Sequence, residues 1–127
     1  MIKTMVQGAL VVALMGVAGA AQAGDAAKGE KVFRKCKACH VVDKEQNKVG
    51  PHLVGIVDRS VASVEGYKYS KAMVAWGEGK TWDEATLAEY LAAPKKVVKG
   101  TKMAFGGLRK EADLANVIAY LKGAGGS

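Results

Sequence analysis

The chain has 127 residues, 50% of them hydrophobic and 24% charged, with 19 Lys and Arg against 12 Asp and Glu and a formal charge of +7. That length leaves room for one small domain with a modest core, and the basic balance points to acidic partners or an anionic surface. Nucleic acid is discounted as that partner, because neither a recognition-helix pattern nor a zinc finger accompanies the charge.

The chain opens on Met1-Ile2-Lys3, runs apolar from Gly8 to Ala20 and closes that run with Ala21-Gln22-Ala23. A basic start, a brief apolar stretch and an A-x-A ending read as a secretory signal peptide over residues 1–23, removed to leave a domain of residues 24–127. The apolar run falls short of the about 20 residues needed to cross a bilayer, so stable membrane insertion is not expected. Export places the domain in an oxidising compartment, where two thiols ordinarily pair.

Three helices stand out beyond the leader. The first is expected from about Ala26 to Cys36, started by Gly24-Asp25, with Val32, Phe33 and Cys36 on one stripe. The second begins at "TWDE", where Thr81 caps and Glu84 reaches back as a capping box, and Pro94 ends it. The third covers about Lys110 to Lys122; Leu114, Val117, Ile118 and Leu121 follow the i, i+3, i+4, i+7 rule, and Gly123 suits the C′ position. A weaker fourth is expected at about Lys71 to Trp76. Long irregular stretches, Val41 to Tyr69 and Pro94 to Gly107, separate these helices, and no segment alternates like a strand. Loops of that length in a small domain make sense when they wrap something other than protein. The Gly-rich end from Gly123 to Ser127 is expected to fray.

The stretch "FRKCKACHVVD" carries the chemistry. A disulfide between Cys36 and Cys39 would close a tiny loop and stabilise little. A thioredoxin-like dithiol needs a βαβ context that is missing. A zinc site needs four ligands, and the whole chain holds two cysteines and two histidines, His40 and His52, without finger-like spacing. Haem attachment accounts for every residue: each thiol adds to a vinyl group, and His40 is delivered beneath the iron as a proximal ligand. The candidates for a sixth ligand are His52, Met73 and Met103. Met103 is favoured, because "KGTKMAF" lies in the second long loop and Gly100 allows the tight turn there. Met73 reads as core filler. His52 follows Gly50-Pro51 so closely that it reads as a loop histidine.

From Gly24 to Lys122 the chain resembles a class I c-type cytochrome, similar to mitochondrial cytochrome c and nearest in style to the bacterial periplasmic cytochromes c2. The resemblance rests on "GDAAKGEKVFRKCKACH", "VGPHLVGI", "GYKYS", "TWDEATLAEYLAAPKK", "GTKMAF" and "VIAYLK", in that order. It implies an all-α cytochrome c fold: three main helices plus short helices and long loops, wrapped around one covalently bound haem c. It further implies that Cys36 and Cys39 carry the haem and that His40 and Met103 are the axial ligands of the iron. Pro51 would accept a hydrogen bond from the other ring nitrogen of His40. Tyr69 and Trp82 would bond a haem propionate with Arg59 nearby, and Tyr90 would lie near the Met103 sulfur. Gly29 and Phe33 would pack against Tyr120 where the first and last helices cross.

Such a protein is a soluble, monomeric periplasmic electron carrier, exported through the Sec route, and not an enzyme. Its partners would be redox proteins with acidic docking surfaces: a quinol-oxidising complex, a terminal oxidase or a photosynthetic reaction centre. Lys35, Lys37, Lys48, Lys95, Lys96, Lys99 and Lys102 flank the haem-bearing segments and are expected to form a basic ring towards those surfaces. The chain departs from the family pattern at three places. Lys99 replaces a usual proline, His52 a usual asparagine, and Met73 a frequently polar residue.

Overall fold

The computed structural model describes residues 24–124. The expected leader, residues 1–23, and the last residues of the Gly-rich end, 125–127, lie outside that range.

Five helices follow one another: α1 (Ala26–Phe33), α2 (Lys71–Gly77), α3 (Glu84–Ala92), α4 (Pro94–Val97) and α5 (Glu111–Gly123). Among the described residues the one extended pairing is an isolated antiparallel bridge, Ser60 with Thr81, so the expected all-α architecture holds. Asp25 caps α1, its carboxylate accepting from the Ala27 and Lys28 amides at 2.9 and 3.2 Å. The helix stops at Phe33, three residues before the expected Cys36. From there the chain tightens into turns, with the Cys36 amide donating to the Phe33 carbonyl at 2.7 Å and the His40 amide to the Cys36 carbonyl at 3.0 Å.

The start of α3 also differs from expectation. Its cap is Asp83, whose carboxylate accepts from the Thr86 amide at 2.7 Å, while Thr81 lies in the bridge to Ser60. The adjacent backbone bonds, Trp82 N–H to Arg59 C=O at 2.8 Å and Asp58 N–H to Trp82 C=O at 2.7 Å, keep this segment extended until Asp83. Glu84 then sits exposed at the helix start and pairs weakly with Lys122, at 3.4 Å. Pro94 does follow α3, but it also opens the short α4, where its fixed φ suits the first helical position. Gly123 closes α5 from within, and the cap is Ala124 in extended conformation.

The first and last helices cross as expected. A Cβ on Gly29 would run into the Asn116 carbonyl and lie 2.8 Å from the Tyr120 Cβ, so glycine is what lets the backbones approach. The Phe33 and Tyr120 rings stack at 5.2 Å between centroids. The Asn116 side chain accepts from the Asp25 amide at 2.8 Å, tying the start of α1 to α5. Phe33, Leu87, Tyr90, Val98, Leu108, Val117, Ile118 and Leu121 are buried in the core. Several of them face a central space that protein does not fill.

Candidate functional site

That space is a cavity of about 270 Å³, and all nine candidate residues line it: Cys36, Cys39, His40, Pro51, Arg59, Tyr69, Trp82, Tyr90 and Met103. Met73, buried on α2, lines it too. His52 is not among the lining residues.

The turns after α1 bring Cys36, Cys39 and His40 to one wall. The two cysteines are not joined to each other in a disulfide. Burial pushes the Cys36 thiol above its ordinary pKa, with Lys35 pulling the other way. The His40 Nδ1 lies 2.7 Å from the Pro51 carbonyl oxygen. A carbonyl only accepts, so the proton sits on Nδ1 and Nε2 keeps its lone pair. Burial lowers the pKa of the imidazole, the bond to Pro51 partly opposes this, and Arg59 adds to the lowering. The result is a neutral, oriented ring with a nitrogen free to bind iron. Gly50 makes the orientation possible, since a Cβ there would run into the His40 ring. Backbone bonds from Gly50 N–H to Cys39 C=O and from Leu53 N–H to Val41 C=O, each 2.8 Å, hold the two strands of this hairpin-like loop together.

Met103 arrives from a segment without regular structure. Gly100 takes a positive φ of 93°, the tight turn expected of it. The Thr101 hydroxyl links this loop to α3: its oxygen lies 2.7 Å from the Tyr90 hydroxyl and accepts from the Met103 amide at 3.3 Å. Tyr90 therefore reaches the Met103 loop through Thr101. Burial raises the Tyr90 pKa, and the bond to Thr101 moderates the rise.

Tyr69, Trp82 and Arg59 line another part of the wall. The Tyr69 hydroxyl accepts from the Val64 amide at 3.0 Å. Trp82 packs on Tyr90 at 5.2 Å and on Trp76 at 5.5 Å between centroids, so Trp82 and Tyr90 belong to the packed core and to the cavity wall at once. Arg59 donates from Nη1 to the carbonyls of His52 and Val54, at 3.0 and 3.1 Å. Its Nε is buried without a hydrogen-bond partner.

That orphaned N–H of a cation tests the fit of a haem, which is an apolar macrocycle bearing two carboxylates. A buried guanidinium nitrogen facing nothing is costly unless an anion completes it. The rest of the wall is chiefly apolar, the thiols stand at the spacing of thioether attachment, and a neutral imidazole is aimed by a carbonyl. The residues fit the group. A zinc site is not supported, since among the described residues no three His, Cys, Asp or Glu side chains gather.

Sequence reasoning missed Tyr67 and Thr101. Both lie inside the motifs "GYKYS" and "GTKMAF", and a hydroxyl two residues from a predicted ligand was the available signal for Thr101.

The fold and site together define a haem-bearing electron-transfer domain. Residues 26–125 match the family model described as cytochrome c. The chain is 55% identical over 103 residues to cytochrome c-554 of Methylosinus trichosporium, covering 80% of this chain and 76% of that one. It is 51% identical over 100 residues to cytochrome c2 of Rhodoblastus acidophilus, covering 78% and 92%. Among solved structures, cytochrome cH from Methylobacterium extorquens superposes with a TM-score of 0.72 at 48% identity, covering 78% of this chain and 98% of that one. The chain belongs to the cytochrome c family, as a class I c-type cytochrome of the c2 type. It carries one covalently attached haem c, with Cys36 and Cys39 at the attachment spacing, and is a monohaem electron carrier.

Proposed function

We propose that His40 and Met103 are the two axial ligands, and that the protein, exported through the Sec route and cleaved of residues 1–23, shuttles single electrons in the periplasm. The observation that carries this reading is the 2.7 Å bond from His40 Nδ1 to Pro51, in a cavity that Met103 also lines. When bound, the haem supplies the one-electron Fe(II)/Fe(III) couple. His40, through Nε2, and Met103, through its thioether sulfur, would hold the iron and leave no position for a substrate. That is why the domain is read as a carrier and not an enzyme. The Met103 thioether and the apolar wall both favour the less charged ferrous state and raise the potential. Arg59, with Tyr69 and Trp82, holds the propionates.

Lys35, Lys37, Lys48, Lys95, Lys96, Lys99 and Lys102 are all exposed. We assign them to a basic ring that steers the soluble, monomeric protein onto acidic surfaces of membrane-bound redox complexes. A quinol-oxidising complex would donate, and a terminal oxidase or a photosynthetic reaction centre would accept. The relatives named cytochrome c2 support this setting. The visible spectrum of the purified holoprotein in both oxidation states tests the ligand set. A ferric sulfur-to-iron charge-transfer band is expected, together with slow carbon monoxide binding to the reduced protein at neutral pH. A missing band with rapid carbon monoxide binding would mean an open sixth position, and a ligand-binding or peroxidase-like haem.

A further inference from the structure

His52 does not line the cavity, but it meets Arg59, which does. Its ring Nδ1 accepts a hydrogen bond from the Val54 amide at 3.3 Å and lies 3.5 Å from Nη1 of Arg59. An amide only donates, so Nδ1 carries the lone pair and the proton of the neutral ring sits on Nε2. This is the opposite tautomer to that of His40, whose Nδ1 faces the Pro51 carbonyl. The backbone around His52 is fixed independently of the ring. Its amide donates to Asn47 Oδ1 at 3.0 Å, and its carbonyl, with that of Val54, accepts from Arg59 Nη1 at 3.0 and 3.1 Å. Arg59 is thus held by carbonyls, while an imidazole of variable charge sits beside it.

Among the described residues Arg59 is the one charged side chain in polar contact with the His52 ring. Tyr69 and His40 in turn sense the Arg59 charge. Lys44, Glu45 and Lys48 on the preceding loop and Asp58 beside Arg59 are exposed, and among the described residues none of them bonds the ring or pairs with Arg59. Histidine is the residue type whose charge ordinarily changes between pH 5 and 8, and this partly exposed ring can take its proton from solvent. A proton on Nδ1 forfeits the Val54 bond and sets a second cation against Arg59. That cost falls when positive charge on the cavity side of Arg59 is lost, as it is on reduction. We propose that His52 is a redox-linked proton site: it takes up one proton from water at Nδ1 when the domain accepts one electron from its donor, so that the reduction potential falls as pH rises. The inference rests on Arg59 holding the haem propionates. The two carbonyls keep Arg59 in place, so the added charge acts through space on the iron.

The test applies voltammetry to the haem-loaded parent and to His52→Asn between pH 5 and 8. Asparagine keeps an oxygen acceptor for the Val54 amide but carries no charge, and a matching melting temperature checks the fold. The parent potential is expected to fall across that range by more than the potential of His52→Asn. The excess corresponds to a roughly fivefold shift in the one-electron equilibrium, or about 40 mV at ~59 mV per tenfold. A slope left intact in His52→Asn would assign the proton to the haem carboxylates and overturn the proposal, and so would a parent potential that is flat with pH. Nitrogen NMR of the ferrous parent at the upper end of the range supplies a readout that needs no variant. A protonated Nε2 with a bare Nδ1 at His52 is expected, and the reverse tautomer removes the contact on which the proposal stands. Neither failure touches the ferric charge-transfer band, whereas failure of the axial-ligand reading abolishes it.

Discussion

His40 is positioned by its own neighbourhood, whereas Met103 is positioned by borrowed contacts. The stretch from Phe33 to Leu53 makes most of its own turns and backbone bonds and supplies the carbonyl that aims the imidazole, and its outside contacts, from Arg59 and Tyr67, reach the His52 and Val49 carbonyls and not the ligand's own turn. The loop around Met103 depends on Tyr90 from α3 through Thr101 and on the Lys68 carbonyl. The contrast teaches where the site yields. A loop held mostly by its own backbone bonds keeps its form while most of the domain stays folded, but a loop held mainly by distant partners opens when one of them withdraws. The Met103 side is therefore the one expected to loosen first.

The largest expected effect lies on the His40 side. Replacing both Cys36 and Cys39 by Ala abolishes covalent haem on a denaturing gel. Haem retained there by the variant would show that the thiols are not the attachment points. On the other side, Met103→His keeps the fold but lowers the reduction potential, by on the order of 0.1 V within the ~0.8 V that axial ligands command. Voltammetry reading an unchanged potential would remove Met103 from the ligand set. Gly50→Ala forces a methyl group into the His40 ring and is expected to cost about 1–3 kcal/mol in urea unfolding, as overpacking does. An unaltered midpoint would mean that the His40 loop is less constrained than its geometry implies. Tyr90→Phe removes the bond to Thr101 at a cost of about 1 kcal/mol. The charge-transfer band should then be lost at lower denaturant concentration than global helicity, and simultaneous loss would erase the contrast between the sides.

The smallest effect concerns Asp83, which caps the helix bearing Tyr90. Its bonds to Thr86 hold the folded carboxylate below its ordinary pKa. A depressed folded value contributes stability above the ordinary carboxylate range, and that contribution disappears as pH falls through the folded value. Asp83→Ala should thus lower the melting temperature slightly at neutral pH and leave it unchanged at strongly acid pH. A constant difference across the titration would assign the effect to something other than the cap.

Much of this was legible in sequence because it rests on residue type. The C-x-x-C-H motif, the Asp25 cap, the apolar stripe of α5 and Gly29 each carry a local signature, and Pro51 could be named because its place after Gly50 matched a family motif. What escaped reading depends on backbone carbonyls or on competition between neighbours. Lys68 and Val49 take part through their carbonyls, which every residue possesses, so no side-chain pattern could announce them. Thr81 and Asp83 are both good caps. The choice fell to Asp83 because the backbone around Trp82 is committed to Arg59 and Asp58, a pairing across more than twenty residues that no local window contains.

The crossing of α1 with α5 also sets an order in time. The segment that bears the thiols emerges early in synthesis, but the helix that covers Gly29 and Phe33 is the last to be made. Until α5 is complete, α1 lacks the partner that buries it, and Cys36 and Cys39 lie on an unfinished surface. Haem attached before α5 docks would be attached to a half-packed chain, and docking of α5 would then seal it in.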